Sequence, residues 1–105
     1  MNPAEDDKFK PDEFSASIPA SVKKGRRFVV NISASTDVDS VTVTNSDGTI
    51  IGTKTKSQAD NSGDVLRYSI IAKAPNETGT YKIYVYATNE NKINSAKHEL
   101  TITVK

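Results

Sequence analysis

The chain has 105 residues, which is the size of one ordinary domain. Lysine and arginine number 14 and acidic residues 13, so the net charge of +1 argues against nucleic-acid binding through general charge. Cysteine is absent and His98 is the single histidine, which excludes disulfides and thiolate zinc sites and leaves little for nucleophilic catalysis. No apolar run approaches the roughly 18 residues of a membrane span, and no signal-peptide pattern follows Met1. We therefore expect no nucleic-acid partner and no membrane insertion, and secretion is left open.

The composition favours β-structure. Valine and isoleucine contribute nine residues each, whereas leucine occurs only twice, and threonine and serine add eleven each. β-Branched side chains lose conformational freedom in a helix and pack well on a pleated sheet. An apolar period of 3.6 residues does not persist anywhere in the chain. The sequence therefore predicts an all-β domain, and its length suffices for a core between two sheets.

The first 13 residues predict a linker rather than a strand. Segment 1–13 surrounds two prolines with charged side chains. Alternation of apolar and polar residues starts at Phe14 and gives a first strand over 14–18. Because proline cannot donate a hydrogen bond to a sheet, this strand should lie at an edge or change sheets at Pro19. The chain thus divides into a disordered tail or inter-module linker at 1–13 and a folded module at 14–105.

Six further strands are predicted from apolar residues at every second position. Phe28, Val30 and Ile32 mark the second strand, in which polar residues take most of the alternate positions. Asn45-Ser46-Asp47-Gly48 is a turn signature between the third and fourth strands, and 58–64 is predicted to be a loop. The seven predicted strands cover residues 14–18, 28–35, 41–44, 49–55, 66–72, 81–88 and 97–104.

The opening of the sixth strand carries the most specific pattern. Glu77-Thr78-Gly79-Thr80-Tyr81 resembles the acidic-x-Gly-x-Tyr sequence that begins strand F of immunoglobulin-like domains, in which the tyrosine hydroxyl bonds nearby backbone. Tyr81 would take this structural role. Ile83 stands where antibody domains place a cysteine, and tryptophan is absent, so aliphatic side chains must fill the core. The chain resembles cysteine-free bacterial Ig-like modules of secreted and cell-surface proteins, and its segment GTYKIYVYATNENK is similar to fibronectin type III domains.

This resemblance implies a seven-stranded, antiparallel Ig-like β-sandwich with Greek-key connections. It also implies a non-catalytic, monomeric module of a larger bacterial protein, extracellular or on the cell surface, that spaces or presents neighbouring domains of the same chain. The residues agree with the lack of catalysis, because no nucleophile and base are paired in a recognisable motif. His98 has the apolar parity of the last strand and should lie at the rim of the core. No cofactor is expected for such a spacer.

An alternative function follows from the sixth strand. Tyr84 and Tyr86 have the parity opposite to the core and should lie on the outer face of a sheet with Lys82, Thr42 and Thr44. Aromatic side chains beside adaptable polar groups are typical of recognition surfaces, so this face could bind a carbohydrate of the cell wall or a host protein in adhesion. Against this, tyrosine is an ordinary strand residue that pairs well with threonine.

Calcium is the cofactor that the loops could hold. Asp37 and Asp39 lie between the second and third strands, and Asp60 and Asp64 lie before the fifth. Carboxylates that converge from flexible loops suit this hard cation. The EF-hand spacing is absent, however, and aspartate is also a common turn residue, so solvated turns are the alternative.

The run Lys23-Lys24-Gly25-Arg26-Arg27 concentrates positive charge in a predicted turn. Such a run could contact an acidic polymer, for example teichoic acid or a heparin-like glycan. It could equally be a soluble turn whose charges protect a sheet edge from pairing with another chain.

Overall fold

The alternating apolar residues form strands whose inward sides face each other across two packed sheets. The computed structural model describes residues 10–11 and 13–105. The strands are β1 (Phe14–Ser17), β2 (Ser21–Val22), β3 (Arg27–Ser35), β4 (Ser40–Asn45), β5 (Ile50–Thr55), β6 (Asp60–Ser62), β7 (Val65–Lys73), β8 (Gly79–Thr88) and β9 (His98–Val104). One sheet has the order β1-β3-β7-β6 and the other β2-β9-β8-β4-β5. The predicted all-β sandwich is confirmed.

The connections are of two kinds, hairpins within a sheet and crossings between the sheets. β4–β5, β6–β7 and β8–β9 are antiparallel neighbours within one sheet, whereas the chain changes sheets after β1, β2, β3, β5 and β7. This is the Greek-key connectivity expected of an Ig-like sandwich. A single 3-10 turn, Lys56–Gln58, precedes β6.

The chain changes sheets at Pro19, as the sequence predicts. β1 pairs with β3 at the edge of the four-stranded sheet, and β2 pairs with β9 at the edge of the other. The missing amide hydrogen of Pro19 therefore costs no hydrogen bond of either ladder. Segment 1–13, predicted to be a linker, lies largely outside the described residues.

Two features of the predicted sandwich are wrong. The described residues form nine strands instead of seven, because β2 and the β6 strand inside the predicted loop 58–64 are each three residues or shorter. An alternation of two or three residues is too short to be recognised in a sequence. The sheets are also not wholly antiparallel, since β2 and β9 run parallel, with Ser21 opposite Thr103 and Val22 opposite Val104.

The core is aliphatic and continuous between the sheets. Val30, Val41, Val43 and Val85 have no measurable exposure, and Tyr68 is the largest fully buried side chain. The other core residues are Phe28, Ile32, Ala34, Val38, Leu66, Ile70, Ala72, Ala74, Ile83, Ala87, Ile102 and Val104. Burying each valine- or isoleucine-sized side chain contributes about 1.5–3 kcal/mol, so these rows supply the main stabilisation in a chain without disulfides.

The described chain enters the sandwich at one end and leaves it at the other. At the end of β3 the Glu13 carbonyl accepts a hydrogen bond from the Ser35 amide, and the Glu13 amide donates to the Ser35 hydroxyl, whereas the backbone of Lys105 bonds Val22 and Lys24 just before β3 begins. We call these the entry end and the exit end. The nine residues of β3 separate them by about 30 Å.

Gly52 in β5 marks the closest approach of the two sheets among the glycines. A Cβ atom added there would lie 2.7 Å from Cγ2 of Ile70 in β7. Ile70 is buried and its Cγ2 methyl group is attached to the branched Cβ, so it cannot swing aside. We expect Gly52→Ala to lower the free energy of unfolding by about 1–3 kcal/mol, measured by urea denaturation.

The double variant tests the cause. Ile70→Ala removes the clashing methyl group, so adding Gly52→Ala to it should cost almost nothing further. Equal losses from Gly52→Ala with and without Ile70 would show that the clash is not the reason for the glycine.

Candidate functional site

The predicted recognition face is the outer side of the five-stranded sheet. β4, β8 and β9 are neighbours there, and Tyr84 and Tyr86 are half-buried on that side. Lys82 lies beside them and forms an ion pair with Glu99, with 2.9 Å between Nζ and Oε1. The Tyr84 hydroxyl is 3.5 Å from the same carboxylate oxygen. Glu99 raises the pKa of Lys82 by accepting its hydrogen bond and by its charge.

Thr42 and Thr44 are not exposed, so the prediction that they offer contacts on this face is wrong. They are 5% and 3% exposed. Both stand on the inner strand β4 beside larger neighbours: Tyr86 lies opposite Thr42 on β8, and Tyr84 and Ile50 flank Thr44. A short side chain between longer ones is covered even on an outer sheet face. The Thr42 hydroxyl accepts a hydrogen bond from Thr53, whereas that of Thr44 has no partner in the described residues.

The four aspartates predicted to bind calcium are not brought together. Asp37 accepts a hydrogen bond from the Ser35 hydroxyl, and the backbone of Asp39 bonds Thr88 and Lys56. Asp60 stands opposite Arg67 in the register of β6 and β7, and Asp64 lies in the exposed turn between those strands. Within residues 10–11 and 13–105, no three acidic or histidine side chains converge on a point that could hold a metal ion. The turn interpretation of these residues fits the structure better.

Tyr81 forms the hydrogen bond to nearby backbone that its sequence pattern predicts, an arrangement that we call the tyrosine corner. Its side chain is half-buried against the core, and its hydroxyl donates to the carbonyl of Glu77 at 3.0 Å. This bond fixes the loop that leads from β7 to β8.

Tyr68 differs from Tyr81, because its ring fills the core but its buried hydroxyl has no partner among the described residues. Burial, and to a lesser degree the charge of Asp39, raise the pKa of Tyr68.

His98 begins β9 on the side of the core residues, at the entry end. It is exposed, and its ring lies against that of Phe14 with 4.8 Å between the ring centres. This is the rim position that the sequence predicts.

Sequence reasoning missed two cavities, because residues far apart in the chain line each of them. A polar cavity of about 370 Å³ lies at the entry end among Thr36, Asp37, Val38, Asp39, Lys56, Asn89, Glu90 and Asn91. A more apolar one of about 350 Å³ opens between the sheets at the exit end. It is lined by Phe28, Asn45, Ser46, Ile51, Lys73, Pro75, Tyr81, Lys82, Ile83 and Ile102. The basic run 23–27 lies next to two lining residues of this second cavity, since it precedes Phe28 and Gly25 bonds the Pro75 carbonyl.

Comparison of the sequence with models of known protein families assigns the chain to one of them. The model of the bacterial pre-peptidase C-terminal domain matches residues 17–87, which is more than half of the chain and ends within β8. The chain belongs to the bacterial pre-peptidase C-terminal domain family. These are non-catalytic C-terminal domains of bacterial peptidases, found in secreted bacterial proteins. The expected lack of a catalytic role for the domain itself agrees with this family.

Solved structures place the fold among Ig-like sandwiches. The sulfur carrier protein SoxY from Chlorobium limicola f thiosulfatophilum matches with a TM-score of 0.59 and 11% identity, over 88% of this chain and 78% of that one. The PKD domain of an M14-like peptidase from Thermoplasmatales archaeon SCGC AB-540-F20 gives 0.58 and 16%, over 90% and 94%. Identities this low establish the fold alone. No match was found among curated proteins.

These findings decide which part of the resemblance seen in the sequence holds. A small Ig-like β-sandwich of a bacterial family is confirmed, whereas nothing in the comparisons favours a fibronectin type III domain in particular. The described residues contain no helix that is long and apolar enough to cross a membrane.

The two tyrosines give a matched pair of expectations. Tyr81→Phe should lower the free energy of unfolding by about 1 kcal/mol, because it removes the hydrogen bond from the Tyr81 hydroxyl to the Glu77 carbonyl. Tyr68→Phe should leave it unchanged or raise it by up to about 1 kcal/mol, because the lost hydroxyl is buried without a partner. Urea denaturation at neutral pH measures both. A neutral Tyr81→Phe would refute the corner, and a costly Tyr68→Phe would show that the core hydroxyl is bonded.

The free energy of unfolding of Tyr68→Phe and Tyr81→Phe should depend differently on pH. The pKa of Tyr68 is higher in the folded state than the ordinary value of about 10, so folding favours the neutral phenol. The stability that this contributes is complete below pH 10. It is lost as the pH rises from there through the folded pKa. Tyr68→Phe should remove this part of the alkaline loss, and Tyr81→Phe should retain it.

Proposed function

We propose that this domain is a structural spacer of a larger secreted or surface-attached bacterial protein, and that it holds neighbouring domains apart without catalysing a reaction. The family supports a non-catalytic accessory domain. The observation that carries the spacer role is the placement of the described chain ends at opposite ends of the sandwich, since a domain inserted in a string must pass the chain through.

The parallel pairing of β2 with β9 fits such a role. β2 follows directly from the edge strand β1, and β9 ends the described chain. Three backbone hydrogen bonds join this edge: from Thr103 to Ala20 at 3.1 Å, from Lys105 to Val22 at 2.9 Å and from Lys24 to Lys105 at 3.0 Å.

Tension along the chain would load these bonds together. β2 and β9 both run from the entry end toward the exit end, so pulling residue 13 outward at one end and residue 105 at the other slides the strands past each other. Sliding stretches all the bonds at once, whereas peeling a hairpin breaks them in turn. A spacer under load therefore gains more resistance from this pairing than from an antiparallel edge.

The alternative function, binding of a carbohydrate or host protein at Tyr84 and Tyr86, has one favouring observation: the two rings stand side by side, partly exposed, on a central strand. It has less support than the spacer, because Thr42 and Thr44 are buried and Lys82 is paired with Glu99. Replacing both tyrosines by serine would abolish glycan or protein capture if this face binds, and would leave the spacer role intact.

Single-molecule pulling tests the spacer. Because the chain has no cysteine, single cysteine handles can be introduced at will. We expect handles at Glu13 and Lys105 to give one cooperative unfolding step at a higher force than handles at Asp47 and Lys105, which both lie at the exit end and peel the sheet. Equal forces in the two geometries would contradict the proposal.

The variant Lys24→Pro tests whether the edge between β2 and β9 bears the load. Lys23 to Arg26 form a turn closed by a 3.1 Å hydrogen bond, with Gly25 at a φ of 72° in its third position, so proline suits the second position. The substitution removes the Lys24 amide that bonds Lys105. It should lower the unfolding force while it costs only about 1 kcal/mol at equilibrium. An unchanged force would show that this edge bears no load.

A further inference from the structure

The exit-end cavity has an apolar floor and a basic rim. Phe28, Ile83 and Ile102 from the core form the floor, and Ile51 and Pro75 continue it toward the mouth. Its volume of about 350 Å³ lies in the range of ligand sites in proteins. Lys73 and Lys82 lie among the lining residues, and no acidic residue does. A bulky apolar group that carries negative charge beside it would fit this site.

Four more cations surround the same end. Lys23, Lys24, Arg26 and Arg27 are all exposed, and Arg27 stands directly opposite Lys73 on neighbouring strands. The ion pair found in the described residues joins Lys82 to Glu99, so these four cations and Lys73 have no acidic partner there. We call Lys23, Lys24, Arg26, Arg27 and Lys73 the basic cluster. The net charge of +1 conceals the cluster, because Asp37, Asp39, Asp60, Asp64 and Glu90 lie toward the entry end.

The backbone holds the basic cluster in place. Gly25 donates to the Pro75 carbonyl at 3.1 Å and Ala74 donates to the Arg26 carbonyl at 2.8 Å, so the 23–27 turn is tied to the chain beyond β7. A Cβ atom at Gly25 would lie 2.8 Å from Asn76 Oδ1, and its φ of 72° favours glycine. Charges on a fixed scaffold lose less freedom when a partner binds.

The cluster is costly without a partner. Like charges directly opposite on neighbouring strands are destabilising, as for Arg27 and Lys73. Asp47 and Glu77 are the acidic side chains in the segments of this end; neither lines the cavity, and neither forms an ion pair among the described residues. An anionic partner would relieve the repulsion, and an apolar group on it would fill the cavity.

The geometry points to a docking site for an acidic peptide segment that carries one aromatic or bulky aliphatic residue, whose side chain enters the cavity while its carboxylates face the basic cluster. This inference goes beyond the spacer role and does not depend on it. Residues 2–13 of the chain itself have this chemistry, with Phe9 among five acidic residues and two lysines.

That segment cannot reach its own cavity. Glu13 is bonded to Ser35 at the entry end, and the four residues from Phe9 to Glu13 span at most about 14 Å, against the roughly 30 Å length of β3. The occupant is therefore this segment of a second copy of the chain.

The test is an amide NMR titration of the isotope-labelled full chain with a synthetic peptide of residues 2–13. We expect shifts centred on Ile51, Lys73 and Tyr81, and binding that weakens as salt is added. The peptide with Phe9→Ser should bind at least about tenfold more weakly, because it loses the buried ring. No shifts at millimolar peptide, or shifts centred elsewhere, would overturn the inference.

Two controls separate this site from general attraction between charges. Arg27→Glu with Lys73→Glu should weaken binding at least about fivefold, whereas the same charge change at the entry end, Lys92→Glu with Lys97→Glu, should have less effect. Equal losses from the two pairs would overturn the site. Polyglutamate of equal length should bind more weakly than the peptide. If it binds equally well, the cavity plays no part and the inference is wrong.

Discussion

The sandwich depends on burying one row of aliphatic side chains from each strand between two sheets. Neither sheet could be stable alone, because each has one apolar side that water would otherwise cover. The chain has no disulfide and no tryptophan, so residues such as Val30, Val43 and Val85 must fill the space. Small branched side chains allow the sheets to approach closely, and Gly52 against Ile70 marks how close they come. Everything else, from the tyrosine corner to the end loops, is positioned by this contact.

The same constraint shapes what the molecule can do. The inward sides of the strands are used for stability, which leaves the outer faces and the two ends for function. The outer face of β8 has two tyrosines beside the ion pair of Lys82 with Glu99. The exit end has an apolar cavity beside cations that have no acidic partner among the described residues. The unsatisfied features therefore concentrate at the exit end.

Periodicity in the sequence predicts the long strands because burial of one face imposes it. Val30 and Ile32 in β3, and Ile83 and Val85 in β8, are inward as their parity requires. Parity does not report side-chain length, so it could not show that Tyr86 covers Thr42. It is also silent for β6 and for the parallel pairing of β2, which depend on contacts between distant segments. Whether loop aspartates such as Asp37 and Asp60 meet is likewise decided by how the loops fold. The glutamate-to-tyrosine pattern before Tyr81 succeeded because that hydrogen bond is local.

The central claim is that both sheets form one cooperative body through their shared aliphatic core. Native-state hydrogen exchange of the backbone amides tests it most directly. We predict that Ile32 in β3 and Val85 in β8, which lie in opposite sheets, open with the same free energy, and that this value equals the free energy of global unfolding from urea denaturation. Two separate values, with one sheet opening well below the global value, would contradict the account.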